Sequence, residues 1–217
     1  MGYMKKYSKR RNYVARRRPR KTWANSNWGT VAKKAFRIAT KVAKFVNAEY
    51  KYYEFAQTAQ TLDYNGAMWT LFNPAQGTSV NQRDGDSVKM VNLTIEGSIV
   101  RNGIDDIVRL IIYKDREMTT SVPSDLMENV ADPQVVFSNK NQDNKFNTKI
   151  LVDRKFTITS NSPLHRFNIV RKIPYHVHWT AGTTTIKNNG IRIMLFSQQS
   201  TGGSKVTYHS RISYLDN

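Results

Sequence analysis

The sequence predicts an all-β body of two antiparallel sheets packed face to face, preceded by a basic arm and one amphipathic helix. Apolar and polar residues alternate with a period of two after residue 50, which is typical of half-buried strands. Turn-forming pairs such as Asn65-Gly66 and Asp84-Gly85 separate the alternating segments. No helical pattern of comparable strength lies between them, so a parallel doubly wound sheet is not expected.

Charge divides the chain into two unequal parts. Residues 1–51 contain 16 Lys or Arg and a single acid, Glu49, for a net charge of +15. Residues 52–217 contain 18 Lys or Arg and 15 acids, for a net charge of +3. A body of about 166 residues is long enough to bury roughly 68–70% of its unfolded surface in one core. We therefore expect three segments, which are a basic nucleic-acid-binding arm at 1–29, a cationic amphipathic helix at 30–49 and a strand-rich body at 50–217.

Composition excludes several classes of protein. With no Cys, the chain has no disulfide scaffold and no thiolate zinc site. Its longest apolar runs, Leu110 to Tyr113 and Ile193 to Phe196, are four residues each, against about 20 in a transmembrane helix. The basic N-terminus lacks the apolar stretch of a secretory signal. We expect no cofactor, no metal ion and no membrane insertion.

The arm is a candidate contact for nucleic acid because cation clusters alternate with aromatic residues. No acid lies between Lys5 and Lys21. Lys and Arg neutralise phosphates while flat rings stack on unpaired bases, so single-stranded nucleic acid suits both. A solvated tail or a nuclear import signal has the same composition. The predicted contacts in the arm are Lys5, Lys6, Lys9, Arg10, Arg11, Arg16, Arg17, Arg18, Arg20, Lys21, Trp23 and Trp28.

An amphipathic helix is predicted for residues 30–47. Apolar residues recur there every three or four positions, and cations occupy another side. A membrane-surface helix has this same pattern. We favour a helix whose apolar stripe packs on protein and whose cations face phosphate. The apolar positions are Val31, Ala35, Ile38, Val42 and Phe45, and the predicted phosphate contacts are Lys33, Arg37, Lys41 and Lys44.

Eight to ten strands are predicted in the body. The alternation is clearest over residues 91–99 and 206–214. Pro174 should divide the segment 164–180, because proline cannot donate to a strand ladder. Residues 115–148 are long and polar, which predicts a surface excursion at one end of the sandwich. The further strand segments are 50–60, 66–72, 107–114, 134–138, 149–159, 164–180 and 190–198.

No combination of residues predicts catalysis. His176 and His178 would lie on one face of a strand, where a surface pair is the plainer alternative to a metal site. The segments 84–86 and 63–66, Asp-Gly-Asp and Asp-Tyr-Asn-Gly, offer oxygens for Ca²⁺ but also have the residues of tight turns. The sequence contains no Gly-x-Ser-x-Gly, Walker loop or dinucleotide fingerprint. We expect a protein that is not an enzyme.

Three short motifs follow the Arg-rich N-terminus in a fixed order. They are QRDGDSV at 82–88, VRLIIYKD at 108–115 and SRISYLDN at 210–217. Their order and spacing resemble those of the capsid proteins of small circular single-stranded DNA viruses. Related single jelly-roll shells occur in plant satellite viruses, and the cationic helix at 30–47 is similar to the interior helices of those shells.

The resemblance implies that residues 50–217 form a jelly-roll shell domain, a single β-sandwich of eight antiparallel strands. It also implies a homo-oligomeric icosahedral shell of about 60 copies, with the arm inside on the genome. Single-stranded DNA is the favoured partner and RNA the alternative, and the expected locations are the virion and, during assembly, the host nucleus. A non-capsid nucleic-acid-binding protein of ribosomal or nuclear shuttle type explains the arm equally well. A third hypothesis is membrane disruption by residues 30–47.

Overall fold

The structure, a computed structural model, covers two units of the chain, Met1–Val46 and Asn47–Asn217, which are described separately. In the first unit, residues 32–38 form a helix on which Phe36 is 72% exposed. The remainder of the helix predicted for 30–47 lies outside the described residues, as does the arm. The residues that the structure describes are 30, 32–38, 49–119, 123–128 and 133–216.

Ten strands form the described part of the body, and every pair of hydrogen-bonded strands is antiparallel. Two short 3-10 helices, Pro123–Asp125 and Pro133–Val136, lie between the fourth and fifth strands. The strands are β1 (Glu49–Thr61), β2 (Ala67–Thr70), β3 (Ser87–Val100), β4 (Asp106–Asp115), β5 (Thr148–Ile158), β6 (Leu164–Lys172), β7 (His176–Trp179), β8 (Ile186–Asn188), β9 (Gly190–Ser197) and β10 (Lys205–Asp216).

The strand order is that of a jelly roll. Sheet A has the order β1-β10-β3-β7-β8, with β6 also paired to β3, and sheet B has the order β2-β9-β4-β5. Strand β6 pairs with residues 92–100 of β3 and β7 pairs with residues 87–89. Together they therefore occupy one position beside β3. Sheet B thus has four positions and sheet A has four plus the three-residue β8 at its edge. Without β8 this is the arrangement of an eight-stranded jelly roll, and the predicted all-β sandwich is confirmed.

The number of strands exceeds the eight that the resemblance implies, because one jelly-roll position is divided and β8 is added at the edge of sheet A. Pro174 separates β6 from β7, as predicted, since proline has no N–H for the ladder. Asn189 separates β8 from β9 with a φ of 63°, in the left-handed region. At Asn189 the chain passes from sheet A to sheet B. The described residues thus form ten strands, which lies within the eight to ten predicted from the alternation but exceeds the eight implied by the resemblance.

The main core lies between the two sheets. Leu93 and Ile95 of β3 are fully buried there with Leu110 of β4 and Ile193 of β9. Each such side chain contributes about 1.5–3 kcal/mol through its removal from water. Edge-to-face ring contacts add to this packing, as between Phe72 and Tyr214 at 5.1 Å between centroids.

A second core covers the outer face of sheet B. Side chains of β4 and β9 pack there against the described part of the loop 116–147, so both strands are buried on both faces and have nearly continuous apolar runs. Two predictions are wrong here. Residues 134–138 are not a strand, because Pro133–Val136 forms a 3-10 helix, and the loop covers a sheet face instead of projecting from one end. The buried members are Ile111, Tyr113, Leu126, Met127, Val135, Val136, Met194 and Phe196.

The connections between strands gather at two ends of the body. We call these the short-loop end, with loops 62–66, 101–105, 159–163 and 198–204, and the long-loop end, with loops 71–86, 116–147 and 180–185. Glu49 pairs with Asp216, and Asp216 pairs with Val88. Strand β1 therefore begins at the long-loop end, and β10 ends there.

Candidate nucleic-acid interface

The loop 116–147, whose described part packs on sheet B, is called the covering loop below. The cations buried under it are paired with carboxylates. Arg109 donates to Asp153 through Nε to Oδ1 at 2.9 Å and through Nη2 to Oδ2 at 2.6 Å. Its Nη1 donates to the carbonyl oxygen of Ser138 at 2.6 Å. Arg192 lies 3.4 Å from Asp115. These contacts attach the covering loop to sheet B while leaving little net charge inside.

A second group of buried cations is paired at the long-loop end. Lys51 Nζ lies 3.1 Å from Asp216 Oδ2 and 3.2 Å from Asp84 Oδ1. Burial alone would lower the pKa of Lys51, but hydrogen bonds and charge attraction from both carboxylates outweigh it and raise that pKa. Arg83 Nη1 lies 3.3 Å from Asp86. The oxygens considered for Ca²⁺ at 84–86 thus neutralise buried cations.

A cleft at the long-loop end is lined by cations without such compensation. Its volume is about 590 Å³, and its walls are the end of β4, the residues before β5 and the start of β5. None of its five cations forms a salt bridge with a carboxylate within the part of the chain that the structure describes. We call this the cationic cleft, and its cations are Lys114, Arg116, Lys140, Lys145 and Lys149.

Two aromatic rings accompany the cations of the cationic cleft. The ring of Tyr175 has Lys114 Nζ at 5.0 Å and Lys149 Nζ at 5.7 Å from its centroid. Phe146 is 78% exposed, and Lys145 Nζ lies 5.2 Å from its centroid. Ammonium groups near ring faces are attracted to them, so the rings position the cations without neutralising them.

The charges in the cationic cleft affect one another. Partial burial lowers the pKa of Lys114, and repulsion from Lys149 and Arg116 lowers it further. Within the described ranges, the one hydrogen-bond partner of the Lys114 ammonium is a neutral oxygen, Asn189 Oδ1, at 3.1 Å. A bound anion would therefore stabilise the protonated form of this side chain.

Most of the predicted nucleic-acid contacts lie outside the described residues. Lys33 and Arg37 are described, and they lie four residues apart on one side of the helix, where both are exposed. The role in nucleic-acid binding stays a prediction for all sixteen residues, which are the twelve arm residues named above with Lys33, Arg37, Lys41 and Lys44. The cationic cleft was missed because its cations come from two distant segments and are mixed with polar residues and two acids, Asp115 and Asp143. The one local signal is an aromatic residue, Phe146, in the otherwise polar run 138–149.

The histidine pair and the aspartates that the sequence suggested as metal ligands lie in an exposed strand face and a tight turn. His176 and His178 lie on one exposed face of β7, as predicted, with their ring centroids 6.4 Å apart. Asp63 Oδ1 accepts a hydrogen bond from Gly66 N at 3.1 Å, as in a tight turn. Within the described ranges, no group of three or more His, Asp or Glu side chains is arranged to hold a metal ion. No helix among those ranges has both the length and the apolar character needed to span a bilayer.

Comparison with known proteins gives similarity in structure alone. No protein-family model and no curated protein matches the chain. A chain of Desmodium yellow mottle tymovirus is 11% identical, with 78% of this chain and 88% of that chain covered and a TM-score of 0.38. A chain of broad bean stain virus is 8% identical, with 76% of this chain and 84% of that chain covered and a TM-score of 0.37. A chain of turnip yellow mosaic virus is 11% identical, with 78% of this chain and 94% of that chain covered and a TM-score of 0.34. The jelly-roll assignment does not depend on these likenesses, because the strand order establishes it.

Proposed function

We propose that this chain is a viral capsid protein that assembles into a small icosahedral shell and packages single-stranded nucleic acid through its basic arm. The observation that carries the proposal is the separation of charge, with +15 on residues 1–51 and +3 on residues 52–217. Jelly rolls also occur in lectins and cupins, so the fold alone does not define the function. The combination with a polycationic arm favours a capsid.

The separation of charge has a physical rationale in a closed shell. About 60 copies, the number of equivalent positions under icosahedral rotation, would bring on the order of 900 positive charges to one interior. That number balances about as many phosphates. Bodies with little net charge pack against one another without strong repulsion. The favoured cargo is DNA, and RNA is the alternative. The proposed role is structural and not enzymatic. Assembly in the host nucleus is part of the same proposal.

Exposed apolar side chains at the short-loop end support contacts between copies. Val100 and Leu164 are cross-strand partners that are 42% and 45% exposed. Ile104, in the loop that follows β3, is 42% exposed. Neighbouring exposed apolar groups of this kind are typical of protein interfaces. We infer that this end contributes to the contacts within the shell.

The test is deletion of residues 2–21 from the full chain. The truncated protein should fold and assemble but contain little nucleic acid, because it lacks ten cations. The ratio of ultraviolet absorbance at 260 and 280 nm, measured on purified particles, reports the cargo. Equal ratios for full-length and truncated particles would contradict the proposal.

A second measurement separates a capsid from a monomeric nucleic-acid-binding protein. Sedimentation of the full-length protein in low and moderate salt should give a large closed particle, which electron microscopy would image directly. A stable species of about one chain in both conditions would favour the non-capsid hypothesis. In that case the arm would still bind nucleic acid, but the body would form no shell.

A further inference from the structure

The cationic cleft concentrates positive charge that the fold does not compensate. Residues 52–217 contain 15 acids, and several of them pair with buried cations such as Arg109 and Lys51. Among the described residues, no carboxylate lines the cationic cleft. Like charges in one concave site repel each other, and low-dielectric walls strengthen that repulsion. An anionic ligand would remove the repulsion.

The walls of the cationic cleft are fixed by hydrogen bonds. Arg116 N donates to Asn147 O at 2.7 Å, and Asn189 N donates to Arg116 O at 3.0 Å. Lys140 Nζ donates to Thr148 O at 3.2 Å. The end of β4, the residues before β5 and the junction of β8 with β9 are thereby joined. A ligand would bind with a small loss of backbone entropy, because the site is already ordered.

The chemistry of the lining matches a nucleotide. A guanidinium such as that of Arg116 binds phosphate through two parallel hydrogen bonds, and Lys ammonium groups bind it as point charges. The exposed ring of Phe146 offers a flat apolar surface at the rim. Inorganic phosphate has no flat ring to stack on Phe146, whereas an unpaired base can stack on it.

The cationic cleft lies at the long-loop end of the body, where β1 also begins at Glu49. Its lining comes from the end of β4 and the start of β5, which the pairing of these strands in sheet B brings together.

We propose that the cationic cleft is a second binding site for single-stranded nucleic acid, in which Lys and Arg bind successive phosphates and Phe146 stacks on a base. This inference rests on the proposed function and extends nucleic-acid binding from the arm to the body. It places one contact on a rigid part of the protein, with the same sequence-independent chemistry as the arm.

The first test measures binding of full-length protein to a fluorescein-labelled 20-nucleotide oligo-dT. The triple variant Lys114→Gln, Arg116→Gln, Lys149→Gln should bind roughly tenfold or more weakly at 150 mM salt. The slope of log affinity against log salt should fall by about 2, since each lost phosphate contact on a single strand contributes about 0.7. Thermal melting checks that the variant is folded.

The matched control removes the same number and type of cations from the exposed face of sheet A. It carries Arg166→Gln, Lys172→Gln and Lys205→Gln, whose side chains are exposed. Both variants have the same net charge, so any difference between them reports position and not total charge. Equal loss of affinity in the two variants would overturn the cleft proposal.

The second test uses the unsubstituted protein and therefore does not depend on the folding of a variant. An oligo-dT containing 4-thiothymidine is crosslinked by ultraviolet light, and the modified peptides are identified by mass spectrometry. A crosslink at Phe146 is expected, and Phe146→Leu should abolish it. Crosslinks confined to the arm would overturn the cleft proposal while leaving the proposed function intact, whereas no binding of oligo-dT at all would overturn both.

A sulfated polysaccharide carries a similar charge and is the main competitor. Heparin oligosaccharide and oligo-dT can be compared by their protection of Lys149 from acetylation in the full-length protein. Protection by oligo-dT is expected. Protection by heparin oligosaccharide alone would overturn the assignment to nucleic acid.

Discussion

The body has two kinds of cation, and they differ in what lies opposite them. Arg109, Arg192 and Lys51 are buried and face carboxylates at 2.6–3.4 Å. The cations of the cationic cleft face carbonyl oxygens, an amide oxygen and aromatic rings. Both kinds come from strands and loops of one body. The difference indicates that paired cations serve folding, whereas unpaired cations are available to a ligand.

The largest loss of stability is expected when a paired cation that is fully buried is removed. Lys51→Met should lower the free energy of unfolding by about 3–5 kcal/mol, because it leaves a buried carboxylate without its charge partner. That carboxylate is Asp216, whose side chain is 1% exposed. Urea unfolding measures the loss. Arg116→Met is the control from the cationic cleft and should change stability by no more than about 0.5 kcal/mol, and equal losses in the two variants would refute the distinction.

A smaller effect is expected where the carboxylate is partly exposed. Arg109→Met should lower the free energy of unfolding by about 2–3 kcal/mol, because carbonyl groups under the covering loop lose a charged donor. Water can still reach Asp153, whose side chain is 34% exposed. A double-mutant cycle with Asp153→Asn should give a coupling energy of about 1–3 kcal/mol in urea unfolding. If the effects of the two single substitutions on the free energy of unfolding simply add, the Arg109–Asp153 pair does not hold the loop.

The smallest effect is expected for a pair on the solvent-exposed face of sheet A. A hydrogen bond from Arg211 lowers the pKa of Glu54 below its ordinary value of 4.5. A lowered pKa means that the stabilisation is present above pH 4.5 and is lost as pH falls through the folded-state pKa. Glu54→Gln should therefore lower the melting temperature slightly at pH 7 and by less at pH 3. The same difference at both pH values would show that the ionised pair contributes nothing.

The sequence predicts those parts of the fold that depend on local alternation. In β3 and β10 one face is buried and the other is in water, so period two is visible over 91–99 and 206–214. Pro174 was correctly predicted to divide a strand for an equally local reason. The cover over sheet B was not predicted, because the apolar pairs Leu126-Met127 and Val135-Val136 are too short to show a helical or strand period and their burial depends on distant strands.

The candidate site was predictable only where charge is contiguous. Runs such as Arg16 to Arg18 stand out in the sequence, whereas the cationic cleft joins residues 114–116 to residues 140–150 through the fold. The pairing of β4 with β5 brings these segments together. No pattern in the sequence alone distinguishes its lysines from Lys51, which is buried and paired.

The pairing of Glu49 with Asp216 determines where the chain enters and leaves the body. Since the first and last strands are hydrogen-bonded neighbours that run in opposite directions, the chain enters and leaves the body through the same surface. A polypeptide appended after Asp216 would start beside the residue at which β1 begins. A label at either of these two positions would therefore mark the same end of the body.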